Sequence, residues 1–529
     1  MLSKLYSAAT FGTEVYQLEI EVDVSGGLPV IAIVGLPDTA VRESRDRVKS
    51  AIKNSQFEYP RGRVTVNLAP ADIKKEGPAF DLAIALGILA STGQISFNVL
   101  REFIFLGELA LNGKIRPVKG VLPIALSLRK SAIRKLIVPK DNAYEAAIIK
   151  EIDVYPVESL QEVVCLLSNF LEKKPLKLEI GELIEKKEYD VDFSEVKGQY
   201  LVKRALEIAA SGFHNILMIG PPGSGKTMLA KRLPTILPQM TIEEIFETTK
   251  IYSISGLLNK EMPLVTTRAF RAVHHTSSDI ALVGGGQNPK PGEVSLSHNG
   301  VLFLDELPEF HRNALESLRQ PIEDGKVTVA RAARTVTFLS NFLLICAMNP
   351  CYCGYFTSSF KPCRCSSHQI QKYRSKISGP LLDRIDIHIE APELKYEYLS
   401  SRKEEEASSK IRERVEKARE IQLRRFSAEG PRLRREASEI SPATAGGKNS
   451  GVYFNSQMTD RMIKEFCALD SEAEGLLKMA IRELNFSARS YNKILKIART
   501  IADLADSEKI ASDHISEAVQ YRSLDKEMF

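Results

Sequence analysis

A chain of 529 residues is too long for one hydrophobic core, so about two to four domains are expected. Its 44% hydrophobic and 26% charged residues are those of an ordinary soluble globular protein, which sets aside disordered and fibrous classes. The net charge of +5 is small for this length and permits a nucleic-acid partner without arguing for one. No apolar run is long enough to span a bilayer, so no membrane partner is expected. Residues 1–10 lack the apolar stretch of a signal peptide, and a cytoplasmic location follows by default. Of seven cysteines, four crowd into residues 351–365, a spacing that suggests a metal site more than secretory disulfides.

In chain order, residues 15–24 alternate apolar and polar side chains, as a half-buried strand does. Gly26-Gly27 turns the chain. A strand is expected over 30–34, a charged helix over 39–54, a strand over 64–68, a buried helix over 80–90 and an edge strand over 114–118. Strands over 133–138 and 152–157 close an α/β domain of residues 1–172. Two stretches in it, Lys74-Lys-Glu-Gly-Pro-Ala79-Phe-Asp and Gly113-Lys-Ile-Arg-Pro-Val-Lys-Gly-Val-Leu122-Pro, resemble the proteolytic domain of the Lon family. The resemblance implies a fold of the ribosomal protein S5 domain 2 type. In Lon-type proteases a Ser follows the Gly-Pro and a Lys in the later stretch activates it. Here Ala79 stands at the Ser position and Leu122, read without gaps, at the Lys position. Alanine has no nucleophilic atom, so the Ser–Lys mechanism cannot run. A catalytically inactive domain, reused for binding or assembly, is implied.

Residues 173–190 are rich in Lys and Glu and read as a solvated linker. After them, Asn215-Ile-Leu-Met-Ile219 reads as a buried parallel strand and residues 228–233 as a helix. Between the two lies Gly220-Pro221-Pro222-Gly223-Ser224-Gly225-Lys226-Thr227, which fits the phosphate-binding loop G-x-x-x-x-G-K-[ST]. The glycines let the backbone curl so that its N–H groups face the phosphates of ATP. Lys226 can reach the β- and γ-phosphates, and Thr227 can ligate Mg²⁺. A second element, Gly300-Val-Leu-Phe-Leu-Asp305-Glu306, puts two carboxylates at the C-terminal end of a central strand, where open α/β sheets bind ligands. Asp305 is expected to hold Mg²⁺ directly or through water, and Glu306 to orient and deprotonate the attacking water.

Asp192-Phe-Ser-Glu-Val-Lys-Gly198 is similar to a stretch that packs near the adenine in AAA+ ATPases, and residues 191–395 are expected to be such a P-loop core. Phe342-Leu-Leu-Ile-Cys-Ala-Met-Asn349-Pro is again a strand ending in a polar residue. The resemblance implies that Asn349 is a sensor whose amide meets the γ-phosphate or the lytic water; a strand-capping Asn-Pro turn is the alternative. Gly379-Pro-Leu-Leu-Asp-Arg384-Ile-Asp386 is similar to the stretch carrying the arginine finger in the magnesium-chelatase and replicative-helicase branch. A structural ion pair of Arg384 with a neighbouring Asp stays open. Residues 277–297, with Val-Gly-Gly-Gly-Gln, and residues 327–338, which alternate around Arg331 and Arg334, look like the helix-2 insert and pre-sensor hairpin of that branch. In related hexameric motors such elements line the pore. Arg331 and Arg334 at a hairpin tip would suit DNA phosphate contact, and a solvated hairpin is the other reading.

Cys351-Tyr-Cys353 and Cys363-Arg-Cys365 supply four thiols that can close a tetrahedral, structural Zn²⁺ site, with His368 a possible substitute ligand and reduced surface thiols the alternative. Cys165, Cys346 and Cys467 sit in apolar contexts and are expected in the core. Residues 396–529 are expected to form an all-α lid. It has a charged helix over 404–425, a polar mobile insert over 427–453, and helices over 459–466, 472–484, 487–502 and 512–521. The helix that begins with the Ser487 cap resembles the sensor-2 helix of AAA+ lids, which implies that Arg489 meets a phosphate.

The order of inactive Lon-like domain, AAA+ core, cysteine insert and helical lid covers nearly the whole chain. By it the chain is identified as a member of the YifB/ComM family of magnesium-chelatase-like AAA+ ATPases. That implies a homo-hexameric, ATP-driven motor on single-stranded or branched DNA, with branch migration in natural transformation as the associated process. A magnesium-chelatase subunit and an ATP-dependent protease are the competing classes. Ala79 argues against the protease. A Lon-like domain and a four-Cys insert are not expected in the chelatase subunit.

Overall fold

The computed structural model describes residues 2–72, 74–75, 77–168, 173–178, 181, 189–286, 289–330, 335–394, 404–438 (side chains through 426), 452–484 and 486–524. The chain opens with a strand that its sequence pattern does not announce. β1 (Leu2–Phe11) pairs along its length with β2 (Glu14–Ser25), from Leu2 opposite Asp23 to Phe11 opposite Glu14. Its inward positions include Ser3 and Ser7, both buried, which hides the alternation a strand usually shows. Their hydroxyls donate to the Gly87 and Phe105 carbonyls at 2.8 Å, so the polar atoms are satisfied inside.

The elements that follow are β3 (Ile31–Val34), α1 (Thr39–Asn54), β4 (Arg63–Ala69), α2 (Asp81–Ser91), α3 (Phe97–Leu100), β5 (Phe103–Phe105), β6 (Glu108–Leu109), β7 (Ile115–Arg116), α4 (Val121–Leu128), β8 (Lys135–Pro139), α5 (Lys140–Ala147), β9 (Asp153–Val157) and α6 (Leu160–Ser168). The seven-stranded sheet runs β3-β4-β2-β1-β5-β8-β9. The Asp38 side chain accepts from the Val41 N–H and starts α1. The strand expected over 114–118 shrinks to the two-residue β7, paired with β6 outside the main sheet. Residues 173–178 do not behave as a solvated linker. Leu176 forms an antiparallel bridge with Val154 on β9, and Leu176 and Leu178 pack on the core under α4 and α5. Cys165, expected in the core, is exposed on α6.

The second unit comprises α7 (Tyr200–Gly212), β10 (Ile216–Ile219), α8 (Lys226–Arg232), α9 (Ile242–Ser255), β11 (Phe270–Val273), α10 (Asp279–Val283), β12 (Gly284–Gly285), β13 (Lys290–Pro291), α11 (Glu293–Leu296), β14 (Val301–Leu304), α12 (Arg312–Ser317), α13 (Arg319–Asp324), β15 (Lys326–Ala330), β16 (Thr335–Leu339), β17 (Leu343–Met348), α14 (Ser367–Arg374), α15 (Gly379–Leu382) and β18 (Ile387–Glu390). Five strands form a parallel sheet in the order β11-β14-β17-β10-β18. β10, β14 and β17 are buried at every residue, which is why they read as unbroken apolar runs. β15 and β16 form the expected antiparallel hairpin, with Arg331 and Arg334 lying outside the described residues.

The two units meet at the β1–β2 turn, where Gly12 lies against Val336 of β16, and where α9 crosses the start of α4. The Gly120 N–H donates to the Ser253 carbonyl at 3.0 Å, and Ser253 Oγ donates to Glu145 Oε2 at 2.7 Å. Leu122, at the position of the Lon lysine, offers its backbone N–H to both Ser253 Oγ and Glu145 Oε2 at 3.3 Å. Burial pushes the Glu145 carboxyl up, against the pull of Ser253, Asn142 and Leu122. Ile148, Ile245 and Leu264 add a small apolar joint beside it.

The C-terminal helices are α16 (Ser408–Ser438), α17 (Asp460–Phe466), α18 (Ser471–Leu484), α19 (Ala488–Leu504) and α20 (Ser512–Gln520). Thr459 and Ser487 cap α17 and α19 as expected. α16 runs past the expected end at Arg425, into the stretch read as a mobile insert. One continuous core joins these helices to the sheet, with Phe213 stacked on Phe454 at 4.5 Å between ring centres. No helix among the described residues is long and apolar enough to cross a membrane.

Gly87 shows how tightly the first core is filled. A Cβ there would sit 2.5 Å from Val22 Cγ2 and 3.1 Å from Leu5 Cδ1. Alanine gains about 1 kcal/mol of helix propensity, but overpacking costs about 1–3 kcal/mol. Gly87→Ala is therefore expected to lower stability in urea unfolding by up to about 2 kcal/mol. A more stable variant would show that α2 has slack against β1 and β2.

Candidate nucleotide site and four-cysteine cluster

The phosphate loop leaves β10 at Gly220, where a Cβ would lie 2.1 Å from the Ala391 carbonyl oxygen, so only glycine fits. Gly223 and Gly225 take positive φ of 81° and 87°, and Gly225 caps α8 without a side chain, leaving the first amides of the helix open. Lys226 Nζ is drawn into the loop, 2.7 Å from the Gly220 carbonyl, 2.9 Å from that of Pro221 and 3.3 Å from Ser224 Oγ. Burial lowers its ammonium to about 8. A phosphate arriving here would raise it again by its own charge. Pro222 carries the turn between the two halves of the loop.

Three strand ends converge on this loop. Thr227 Oγ1 donates to Asp305 Oδ2 at 2.7 Å, which brings a hydroxyl and a carboxylate together as hard oxygen ligands suited to Mg²⁺. Glu306 follows with φ +53°, a left-handed turn that separates its side chain from that of Asp305, and its N–H donates to Asp305 Oδ1 at 2.9 Å. The Glu306 carboxylate is 56% exposed and lies 3.3 Å from His275 Nδ1. Asn349 Oδ1 is 3.4 Å from Lys226 Nζ, which places the expected sensor amide on the phosphate-loop lysine. On the other side, Gln199 Nε2 donates to the Ser224 and Pro392 carbonyls at 3.0 and 2.7 Å. It ties the Asp192–Gly198 entrance to the loop.

The two remaining arginines are elsewhere. Within one chain Arg384 is an ion pair, 2.5 Å from Glu323 Oε1, and also donates to the Pro380 carbonyl at 2.5 Å. The partner is Glu323 rather than the adjacent Asp383 or Asp386. Arg489, the second residue of α19, is 64% exposed and 3.8 Å from Asp383. Asp386 itself is buried between His214 at 3.2 Å and Lys493 at 3.0 Å. Burial alone would raise its carboxyl, but Lys493 and His214 hold it well below the usual range. That pair pins the Arg384 segment to α19.

The four clustered cysteines come together. Sγ–Sγ separations are 3.4 Å for Cys351–Cys353, 3.7 Å for Cys351–Cys363 and 3.5 Å for Cys353–Cys363, and all four sulfurs lie within 4.8 Å of one another. Tetrahedral zinc at about 2.3 Å from each sulfur needs sulfurs about 3.8 Å apart, so the donor set fits Zn²⁺. Backbone N–H groups of Arg364 and Tyr355 pull the Cys353 thiol down to about 6, toward the ligating thiolate. His368 is exposed on α14 and is not one of the four ligands of the cluster.

Three family comparisons agree with this layout. Residues 192–399 match the family described as magnesium chelatase, subunit ChlI, and residues 405–522 match its C-terminal part. Residues 20–142 match the family described as subunit ChlI of Mg-chelatase. Competence protein ComM of Haemophilus influenzae is 44% identical over 534 residues, covering 99% of this chain and 98% of its own. The chain belongs to the YifB/ComM family of magnesium-chelatase-like AAA+ ATPases. The uncharacterised YifB of Escherichia coli is 40% identical over 528 residues, again covering 99% and 98%. Lon protease 2 of Bacillus subtilis is 29% identical over 185 residues, 31% of this chain and 33% of its own.

Gln199 and His275 of this YifB/ComM chain belong to no motif, and only the fold brings them to the site. His275 follows β11, which lies beside β14 in the sheet, so a polar residue just beyond β11 was the one available signal. Zinc gives a direct check on the cluster. Metal analysis of the purified chain is expected to find one zinc per chain, and Cys363→Ser to lower both zinc content and melting temperature. A folded, metal-free preparation would contradict it.

Proposed function

We propose that this AAA+ ATPase works as a ring of identical chains, a hexamer, that hydrolyses ATP to move along single-stranded or branched DNA and promote branch migration. The observation that carries the ATPase half is the meeting of Thr227, Asp305, Glu306, Lys226 and Asn349 at the ends of three parallel strands. In this reading the amides of residues 220–227 and Lys226 bind the β- and γ-phosphates. Thr227 and Asp305 hold Mg²⁺, which supplies charge neutralisation on the phosphates when bound. Glu306 turns from His275 to take a proton from the attacking water, and Asn349 orients that water. Arg384 leaves Glu323 and reaches the phosphate of the next chain, where it stabilises transferred charge. Arg489 supplies a further cation from the lid.

The DNA half is supported by the likeness to a competence protein across the full length, and by the β15–β16 hairpin, between whose strands the sequence carries Arg331 and Arg334. The chelatase description of the matching families favours a second reading, a motor subunit that drives metal insertion into a porphyrin. The deciding experiment is the ATPase rate with and without single-stranded and branched DNA. Stimulation by DNA supports the motor; no DNA binding or stimulation in any form refutes it.

Residue roles follow the same logic. Glu306→Gln is expected to keep nucleotide binding but lower kcat at least about 100-fold, whereas Lys226→Ala weakens binding itself. Parental turnover by Glu306→Gln would remove it as the base. Arg384→Ala should be inactive alone and recover part of its activity when mixed with Lys226→Ala chains, since mixed interfaces contain one complete site. Replacing Arg331 and Arg334 with Ala together should abolish DNA stimulation and flatten its salt dependence.

A further inference from the structure

The loop that carries the four cysteines has an outer face that nucleotide chemistry does not use. From Pro350 through Leu382 the sequence holds no acidic residue, and it carries Lys361, Arg364, Lys372, Arg374 and Lys376. Lys361, Arg364, Lys372 and Lys376 are exposed. Lys376 is matched by Glu309 at 3.1 Å. Four thiolates around one divalent metal would add two negative charges, and Glu393 accepts from Ser358 of the loop at 2.9 Å, but Cys351 is buried and the other three are half-buried, so Lys361, Arg364, Lys372 and Arg374 leave the outer face a net positive charge.

On the same loop three aromatic rings face solvent: Tyr352 is 49% exposed, Phe356 45% and Phe360 64%. Three rings of the loop each carry a cation over them. Lys361 lies over Tyr355 at 5.1 Å, the Arg374 guanidinium over Phe356 at 5.3 Å and Lys376 over Tyr352 at 5.3 Å. A protein interface would instead gather apolar groups at its centre and keep lysine out. Interleaved rings and cations match a strand with its bases splayed, because each base has a face to stack and each phosphate a charge to neutralise. A duplex keeps its bases stacked on one another and offers no such face.

We propose that the four-cysteine loop is a contact surface for single-stranded nucleic acid, with bases stacking on Phe356 and Phe360 and phosphates meeting Lys361 and Arg364. This rests on the DNA-motor reading and names a second contact besides the β15–β16 hairpin. The loop is also built onto the nucleotide site. Asn349, which touches Lys226, runs directly through Pro350 into Cys351, and Gly354 lies against Pro222 so closely that a Cβ would be 2.7 Å from its ring. A strand held by the loop would therefore load the sensor and the phosphate loop through a short, metal-clamped segment.

The test uses the full chain and a fluorescent oligothymidylate, with binding read by anisotropy and assembly by light scattering. Phe356→Ala with Phe360→Ala should weaken binding at least about tenfold. Lys361→Gln with Arg364→Gln should reduce the slope of log affinity against log salt by about 1.4, two phosphate contacts on a single strand. Both variants should assemble as the parent does. Parental affinity and slope in both would overturn the proposal. Loss of assembly in either would also overturn it, by assigning the face to a contact between copies. The charge variant alters only exposed side chains and keeps the test open if the aromatic variant misfolds. A parent chain that binds no DNA of any kind is a different result, and defeats the motor reading itself.

Discussion

Ile219 at the end of β10 lies opposite Met348 on β17, and Leu304 at the end of β14 lies opposite Cys346 on the same strand. That parallel register is the constraint on which the site depends. It makes Gly220, Asp305 and Asn349 leave the sheet along one edge, so a loop, a carboxylate pair and an amide meet although they are far apart in sequence. Strands buried on both faces are stiff, and their ends are held to within a side chain's reach. A slip of one residue in β14 would turn Asp305 away from Thr227 and break the 2.7 Å contact between them.

Much of this was legible because the chemistry is local. The phosphate loop, the run before Asp305 and the run before Asn349 each carry their own strand signal within a few residues. What stayed hidden was non-local or masked by composition. β1 conceals its inner face with serines that are satisfied by carbonyls of other elements. The partner of Arg384 is Glu323, on a helix in an earlier part of the chain, and nothing near Arg384 announces it. Leu176 and Leu178 sit in a charged stretch, yet two leucines at alternate positions are enough to add a bridge to β9 and close that edge of the sheet. Cys165 shows the opposite error. Its neighbours Val163, Leu166 and Leu167 are in the core, but helical geometry turns Cys165 outward.

The N-terminal domain is similar in sequence to part of a Lon protease, and the residues at its expected reactive positions, Ala79 and Leu122, carry no nucleophile or base. Ala79 offers only its carbonyl, to the Gly107 N–H at 2.9 Å, and Leu122 is buried. At the start of α4 the Leu122 N–H instead donates to Ser253 and Glu145. The start of α4, with Gly120 and Leu122, is used here as a joint with α9. α9 also packs against α11 and β13, so the N-terminal domain is connected through α9 to the segment that precedes β14.

The continuous core shared by the sheet and the C-terminal helices bears on how such a chain can evolve. Phe213, Ile208 and Ala209 of the ATPase unit and Ile497, Ile501 and Phe454 of the helical unit belong to one apolar cluster. Cutting the chain between them would strip both halves at once. The N-terminal domain has two cores of its own and meets its neighbour through hydrogen bonds at α9, through a small apolar patch of Ile148, Ile245 and Leu264 flanked by Met240 and Phe246, and through its β1–β2 turn, where Gly12 lies against Val336 of β16. It is the portable piece. Gene fusion and loss can add or remove it as a module, whereas the lid and the ATPase must be inherited, and must diverge, as one body.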